Sequence, residues 1–246
     1  MDRMVYVAMA GAKQLMQAQA LVANNIANVS TNGFRADLAR FEASPIEGPG
    51  FPSRVNTVAA GVGFDRTQGT LVQTGSVLDV AIDGPGWLAV RAKDGSEALS
   101  RGGSLKVNAL GQLTTERGDL VLGDNGPLSV PPYSQIAMAT DGTISVVPEG
   151  QGPATLAQVG RIKLVNPDPK TLEKRTDGLV HVKGNGKTVA DANVKVTSGA
   201  IETSNVNIAG ALVDMIDYSR QFDMAVRMMQ TADQNATRAS SLASLS

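Results

Sequence analysis

An α+β fold, with a mainly β middle bracketed by two long helices, is what this sequence predicts, and three observations carry the prediction. All eleven prolines lie between Pro45 and Pro169, and no glycine follows Gly210. Proline removes a helical hydrogen bond, so its absence from both ends leaves room for uninterrupted helices. The ends also carry a heptad-like apolar rhythm, and the middle is dense with turn dipeptides.

Residues 4–28 form the first expected helix. Met4, Ala8, Gly11, Leu15, Ala18 and Val22 recur at alternating steps of four and three, the spacing that keeps side chains on one seam. Small residues at Ala8, Gly11 and Ala18 permit close helix approach. Residues 14–34 carry no charge but are rich in amides, including Asn24, Asn25 and Asn28. An uncharged amide tolerates a helical neighbourhood that would penalise a buried charge, and an Asn on a seam can fix register. The helix is expected to end near Asn28, with Asn32-Gly33 supplying a left-handed exit.

Residues 34–53 read as linker because Ser-Pro-Ile-Glu-Gly-Pro-Gly-Phe-Pro at 44–52 is too rich in Pro and Gly for regular structure. From 54 to 206 the pattern is β. Val80, Ile82, Leu88 and Val90 sit between Asp83-Gly84 and Asp94-Gly95, and further reversals are marked by Asn125-Gly126, Asp141-Gly142, Asp177-Gly178 and Asn185-Gly186. Hairpins are the expected product. Residues 207–246 form the second helix, with Ile208, Leu212, Met215, Ser219, Phe222, Val226 and Met229 on its seam. Pairing of the two terminal helices as a coiled coil is the simplest way to bury both seams. Each helix alone is marginal in water, so the ends are expected to be loosely ordered in the free monomer and to become ordered on assembly.

Composition narrows the function. A formal net charge of −1, with no concentrated run of Lys and Arg, offers nothing to a phosphate backbone, so nucleic acid is not an expected partner. Aromatic content of 4% is thin for a stacking surface. With no cysteine there are no disulfides, thiolate metal sites or cysteine nucleophile. No stretch approaches the roughly 18 consecutive apolar residues of a membrane span, and the charges before the first apolar run cancel, so neither insertion nor a cleaved signal is expected.

Catalytic chemistry is sparse. The single histidine, His181, lies between Val180 and Val182 and reads as a strand-surface residue. No cofactor motif appears; the glycine pairs lack the continuation of a nucleotide-binding loop. Asp79 and Asp83 could share one strand face, the arrangement a periplasmic carbohydrate-active enzyme would need, whereas a turn at Asp83-Gly84 explains the same residues without catalysis. The turn is the preferred reading.

ANNIANVSTNGFRAD, from Ala23 to Asp37, resembles the N-terminal signature of flagellar rod, hook and hook-associated axial proteins, including its Thr31, Gly33 and Phe34. SNVNIAGALVDMIDYSRQFDMAVRMMQTADQ, from Ser204 to Gln234, resembles the matching C-terminal signature. Between them TGSVLDVAIDGPGW (74–87), LSRGGSLKVNALGQL (99–113) and the segment ending at Pro131 resemble the family's β region. Two departures are Trp87-Leu88, where an aromatic pair is usual, and Leu99 in place of an aromatic. The length, the opening residues and Gly-Phe-Arg-Ala at 33–36 look most like a proximal rod subunit, the distal rod protein being the nearest alternative. The resemblance implies a structural protein of the basal body, not an enzyme and without a cofactor. It implies export through the flagellar type III apparatus without a cleaved signal, and assembly with copies of itself and other rod proteins into the periplasmic rod that carries torque from motor to hook. The subunit contacts would then fall on the two seams and their asparagines.

Overall fold

The computed structural model describes residues 4–45, 55–152 and 155–243. The chain is α+β and divides into two units, one of Met1–Val29, Ala36–Asp65 and Val206–Ser246, the other of Ser30–Arg35 and Arg66–Asn205.

The first unit contains helix α1 (Met4–Ala27), strands β1 (Asp37–Pro45) and β2 (Val55–Phe64), and helix α2 (Ile208–Ala243). Neither helix contains proline, so each runs unbroken for 24 and 36 residues, about 36 and 54 Å at the α-helical rise. The two helices pack against each other, and α1 also packs on both strands. Asn207 starts α2 as a cap: its side-chain Oδ1 accepts the Gly210 amide at 3.1 Å, satisfying one of the free donors of the first turn. Strands β1 and β2 pair antiparallel from Asp37 opposite Phe64 to Pro45 opposite Val55, with a register break between Arg40 and Phe41. Here the structure differs from the expected linker over 34–53. Residues 37–45 of it form β1, and residues 46–53 of it lie outside the described residues.

The second unit holds sixteen further described strands: β3 (Leu71–Gln73), β4 (Val80–Asp83), β5 (Trp87–Arg91), β6 (Glu97–Ser100), β7 (Leu105–Val107), β8 (Leu113–Thr115), β9 (Leu120–Gly123), β10 (Gly126–Pro127), β11 (Tyr133–Met138), β12 (Thr143–Pro148), β13 (Ala157–Arg161), β14 (Leu164–Val165), β15 (Leu172–Lys174), β16 (Val180–Val182), β17 (Lys195–Ser198) and β18 (Ala200–Glu202). The largest sheet runs β15-β16-β6-β5-β9-β8-β7, with β10 on β9 and β14 on β5. A three-stranded sheet, β11-β12-β13, and the pairs β17-β4 and β18-β3 complete it. Local reversals are fastened by aspartates: Asp94, Asp141 and Asp177 accept the amides of Ser96, Thr143 and Leu179 at 2.8–3.0 Å, the Asx-turn bond that makes Asp-Gly a strong reversal signal. Bonds from Ser96 and Thr143 hold the Asp94 and Asp141 carboxyls below their ordinary range.

The core of this unit is branched and aliphatic. Val80, Ile82, Leu88, Leu105, Leu113, Val121, Ile144, Val146, Ile162 and Leu164 form one buried cluster drawn from strands of different sheets. His181 is not on the surface as the sequence reading had it. It is the middle residue of β16, which pairs with β15 and β6; its side chain is buried, and the imidazole Nε2 meets Asp177 Oδ2 at 2.8 Å.

Candidate assembly surfaces and the signature segment

On α1 the buried residues are Ala8, Ala12, Ala18 and Asn25, while Gly11, Leu15 and Val22 are half-buried. On α2 only Ala232 is buried among the described side chains; Ala211, Met215, Tyr218, Phe222, Ala225, Val226 and Met229 are half-buried. The inward row through 211, 215, 218, 222, 225, 229 and 232 keeps the alternation of four and three and shares Met215, Phe222 and Met229 with the expected seam. Ile208 and Leu212 lie outside it and are each 47% exposed. The reason is steric, since alanine at 211, 225 and 232 lets helices approach where a larger residue would hold them apart. Large apolar side chains consequently remain in solvent: Tyr6, Met9 and Met16 on α1, and Val213, Ile216, Met224 and Met228 on α2. Tyr6, Met9, Lys13 and Met16 form one row along α1 at alternating steps of three and four.

The signature asparagines are used within the chain. Asn25 Nδ2 donates to the Asp37 carbonyl at 2.9 Å and its Oδ1 accepts the Asp37 amide at 2.7 Å, so one side-chain amide satisfies both backbone groups of the first residue of β1. Asn24 Nδ2 donates to the Asp37 carboxylate at 2.7 Å. Asn28 turns back to the carbonyl and side chain of Asn24 at 2.9 and 3.0 Å, closing the end of α1. Their register is thus set against β1.

Thr31, Gly33 and Phe34 belong to the second unit. Gly33 has φ +68°, and a Cβ there would sit 2.1 Å from the Arg101 carbonyl carbon, so only glycine fits for both conformation and space. Its amide donates to the Glu202 carbonyl at 2.8 Å. Phe34 is buried, its amide donating to the Thr31 carbonyl at 3.2 Å, with Lys174 Nζ 3.8 Å above its ring. Lys174 also donates to the Arg35 carbonyl at 2.8 Å. A cleft beside these residues is lined by Thr31, Asn32, Trp87, Arg101, Arg117 and Lys174.

Sequence reading missed the most heavily buried charges. Glu202, fully buried, takes Arg35 on Oε1 at 2.6 Å and Arg101 on Oε2 at 2.7 Å. Arg35 and Arg101 stand inside the quoted motifs, but nothing in their spacing predicts a common partner; the only local signal was a carboxylate next to Ala200 and Ile201 in an apolar strand. Asp79 and Asp83 form no comparable centre: Asp83 is exposed at the end of β4, and Asp79 makes a bridge with Ser104. Among the described residues no group of three or more His, Asp or Glu could hold a metal ion, and no helix is long and apolar enough to cross a membrane.

Terminal helices packed on each other and a signature segment built around Gly33 define a protein of the flagellar axial class. Comparison with known families agrees along the chain. Residues 5–35 match the family described as flagella basal body rod protein, 81–146 the flagellar hook protein FlgE/F/G D1 domain, and 197–242 the flagellar basal body rod FlgEFG protein C-terminal family. The chain is 41% identical to the flagellar basal-body rod protein FlgF of Escherichia coli and 40% to that of Salmonella typhimurium, each over 100% of both chains. Against the flagellar basal-body rod protein FlgG of Buchnera aphidicola from Acyrthosiphon pisum, identity is 34% over 90% of this chain and 92% of that one. The chain belongs to the FlgF family of flagellar basal-body rod proteins, structural proteins and not enzymes.

Proposed function

We propose that the chain is a subunit of the periplasmic rod, that its terminal helices pair as a coiled coil, and that their outer faces pack against other copies and against other rod proteins so that the assembly carries torque from motor to hook. The observation that carries this reading is the exposed apolar surface of both helices. Burying a side chain the size of Met or Ile contributes about 2 kcal/mol, so solvent is an expensive place for Tyr6, Met9, Met16, Val213, Ile216, Met224 and Met228, and many copies meeting along such rows would sum to a stiff joint. Ile208 and Leu212, exposed at the start of α2, extend the same surface. Ala8, Gly11, Leu15, Ala18, Val22, Met215, Phe222, Val226 and Met229 set the helix pairing that presents it, and Asn24, Asn25 and Asn28 brace its junction with β1; the side chain of Met4 lies outside those described.

Delivery is through the flagellar type III export apparatus without a cleaved signal, which suits a chain with no disulfide to form and helices that gain order by packing. Neither nucleic acid nor membrane insertion has a part in it. The test is electron microscopy of basal bodies from a strain lacking the chain, beside a complemented control. A rod that stops short, without a hook, is the expected result, and the stopping height separates a proximal from a distal position. Complete rods and hooks without the chain would overturn the reading.

A further inference from the structure

The Glu202 charge triad stands where the chain passes into and out of the β unit. Beyond its bonds to Arg35 and Arg101, the Glu202 carboxylate accepts the Gly69 amide at 2.9 Å, and its own carbonyl accepts the Gly33 amide at 2.8 Å. Asn205 donates its amide to the Phe34 carbonyl at 3.3 Å, and its side chain shares the Thr67 carbonyl with Arg35, at 3.0 and 2.6 Å. One residue therefore joins the incoming segment 30–35, the outgoing segment 200–205 and the two internal links at Gly69 and Arg101. Both guanidinium groups also donate to backbone carbonyls, Arg35 to Thr67 and Arg101 to Ile82 and Gly84.

Buried ion networks gain little stability over well-packed apolar replacements, so stability alone does not account for this arrangement. What it supplies is a lateral tie between two passing segments of chain. We propose that the triad is a mechanical clasp. Tension applied at the two crossings passes from residues 30–35 directly into 200–205, and the sheets behind them stay unloaded until the clasp gives way. Opening is cooperative, because withdrawing Glu202 breaks its bonds to Arg35, Arg101 and the Gly69 amide together. The usefulness of such a clasp rests on the torque-bearing reading above, whereas its existence is tested on the isolated chain.

The sequence has no cysteine, so Ser30→Cys and Val206→Cys give unique handles for pulling the full-length protein in optical tweezers. Glu202→Gln is expected to open at least about tenfold faster than the parent at equal force. Arg101→Gln, which keeps the Arg35–Glu202 pair, is expected to fall between the two and serves if Glu202→Gln does not fold. Glu97→Gln removes an ion pair with Lys163 elsewhere in the same unit, 2.8 Å long, and is expected to lower the thermal midpoint without changing the opening rate under force. Parent-like opening in both clasp variants, or equal acceleration by Glu97→Gln, overturns the clasp. A complete rod in the deletion strain would overturn only the rod reading and leave the force result as it stands.

Discussion

The two units bury different things. The β unit packs branched aliphatic side chains such as Val80, Ile82, Leu88, Ile144 and Ile162 into one cluster, whereas the helical unit buries Ala8, Ala12, Ala18 and Ala232 and leaves Met9, Met16, Ile216 and Met224 outside. A core of alanines brings helices close but removes little apolar area from water, while a core of Leu, Ile and Val removes much more. The difference teaches which part is complete by itself. The β unit has gathered its large side chains into a core and leaves scattered ones such as Leu110 and Val189 outside, whereas the helical unit keeps its large side chains in rows along the helices.

The hardest way to press that contrast is to break a helix. Leu15→Pro or Met215→Pro costs about 3 kcal/mol or more in the helix concerned and is expected to abolish incorporation into the rod. Trp87, buried in the β unit, should keep its native fluorescence while far-ultraviolet dichroism loses helix. Normal swimming by either variant would erase the contrast. Gly33→Ala strikes the other unit, forcing a Cβ against the Arg101 backbone at positive φ; a loss of about 2 kcal/mol in urea denaturation is expected, with the Trp87 signal moving first. A wild-type urea midpoint would mean that the crossing at Gly33 is looser than its geometry.

Asn25→Ala leaves the Asp37 backbone groups without their partner and is expected to cost about 1 kcal/mol. Amide exchange should accelerate around residues 36–40 and not in β12; a uniform acceleration would place the amide in a wider network than its two bonds. The smallest effect concerns acidity. Burial raises the Glu97 carboxyl, but hydrogen bonds from Lys163 and Thr188 outweigh it and hold the group below its ordinary 4.5. Because the folded value is depressed, the stabilisation is fully present above the unfolded value and is lost as pH falls from about 4.5 through the lower folded one. Thermal melts of Glu97→Gln should converge on those of the parent across that range, and a constant gap down to the lowest pH would assign the effect to packing.

Both helices were legible in the sequence almost to their ends, since proline and glycine confine helical structure and both act locally. The face that each helix turns inward was legible only in part. An apolar rhythm favours Leu212 over Ala211 as a contact, but close packing selects the alanine, and pattern alone does not weigh bulk against approach distance. Turns were readable from Asp-Gly pairs, though at Asn185-Gly186 the left-handed residue is Gly184 instead, within a short 3-10 turn. Strand partners such as β4 with β17 and β3 with β18 join residues more than a hundred positions apart, for which alternation supplies a face but not a neighbour. The Arg35–Glu202–Arg101 triad was hidden for the same reason. The signature segment could be recognised as a motif, yet the tight space around Gly33 and the amide pairing of Asn25 with Asp37 became visible only once distant backbone was placed beside them.

The adjacency of Gly33 and Glu202 has a consequence for how such a chain can change over time. A folded insert whose two ends lie one hydrogen bond apart, here 2.8 Å, can be exchanged for any other insert with equally close ends without altering the spacing demanded of the flanking sequence. Lineages are free to enlarge, shrink or replace the middle of the chain while the spacing asked of the terminal segments stays set by a single pair of neighbouring backbone atoms.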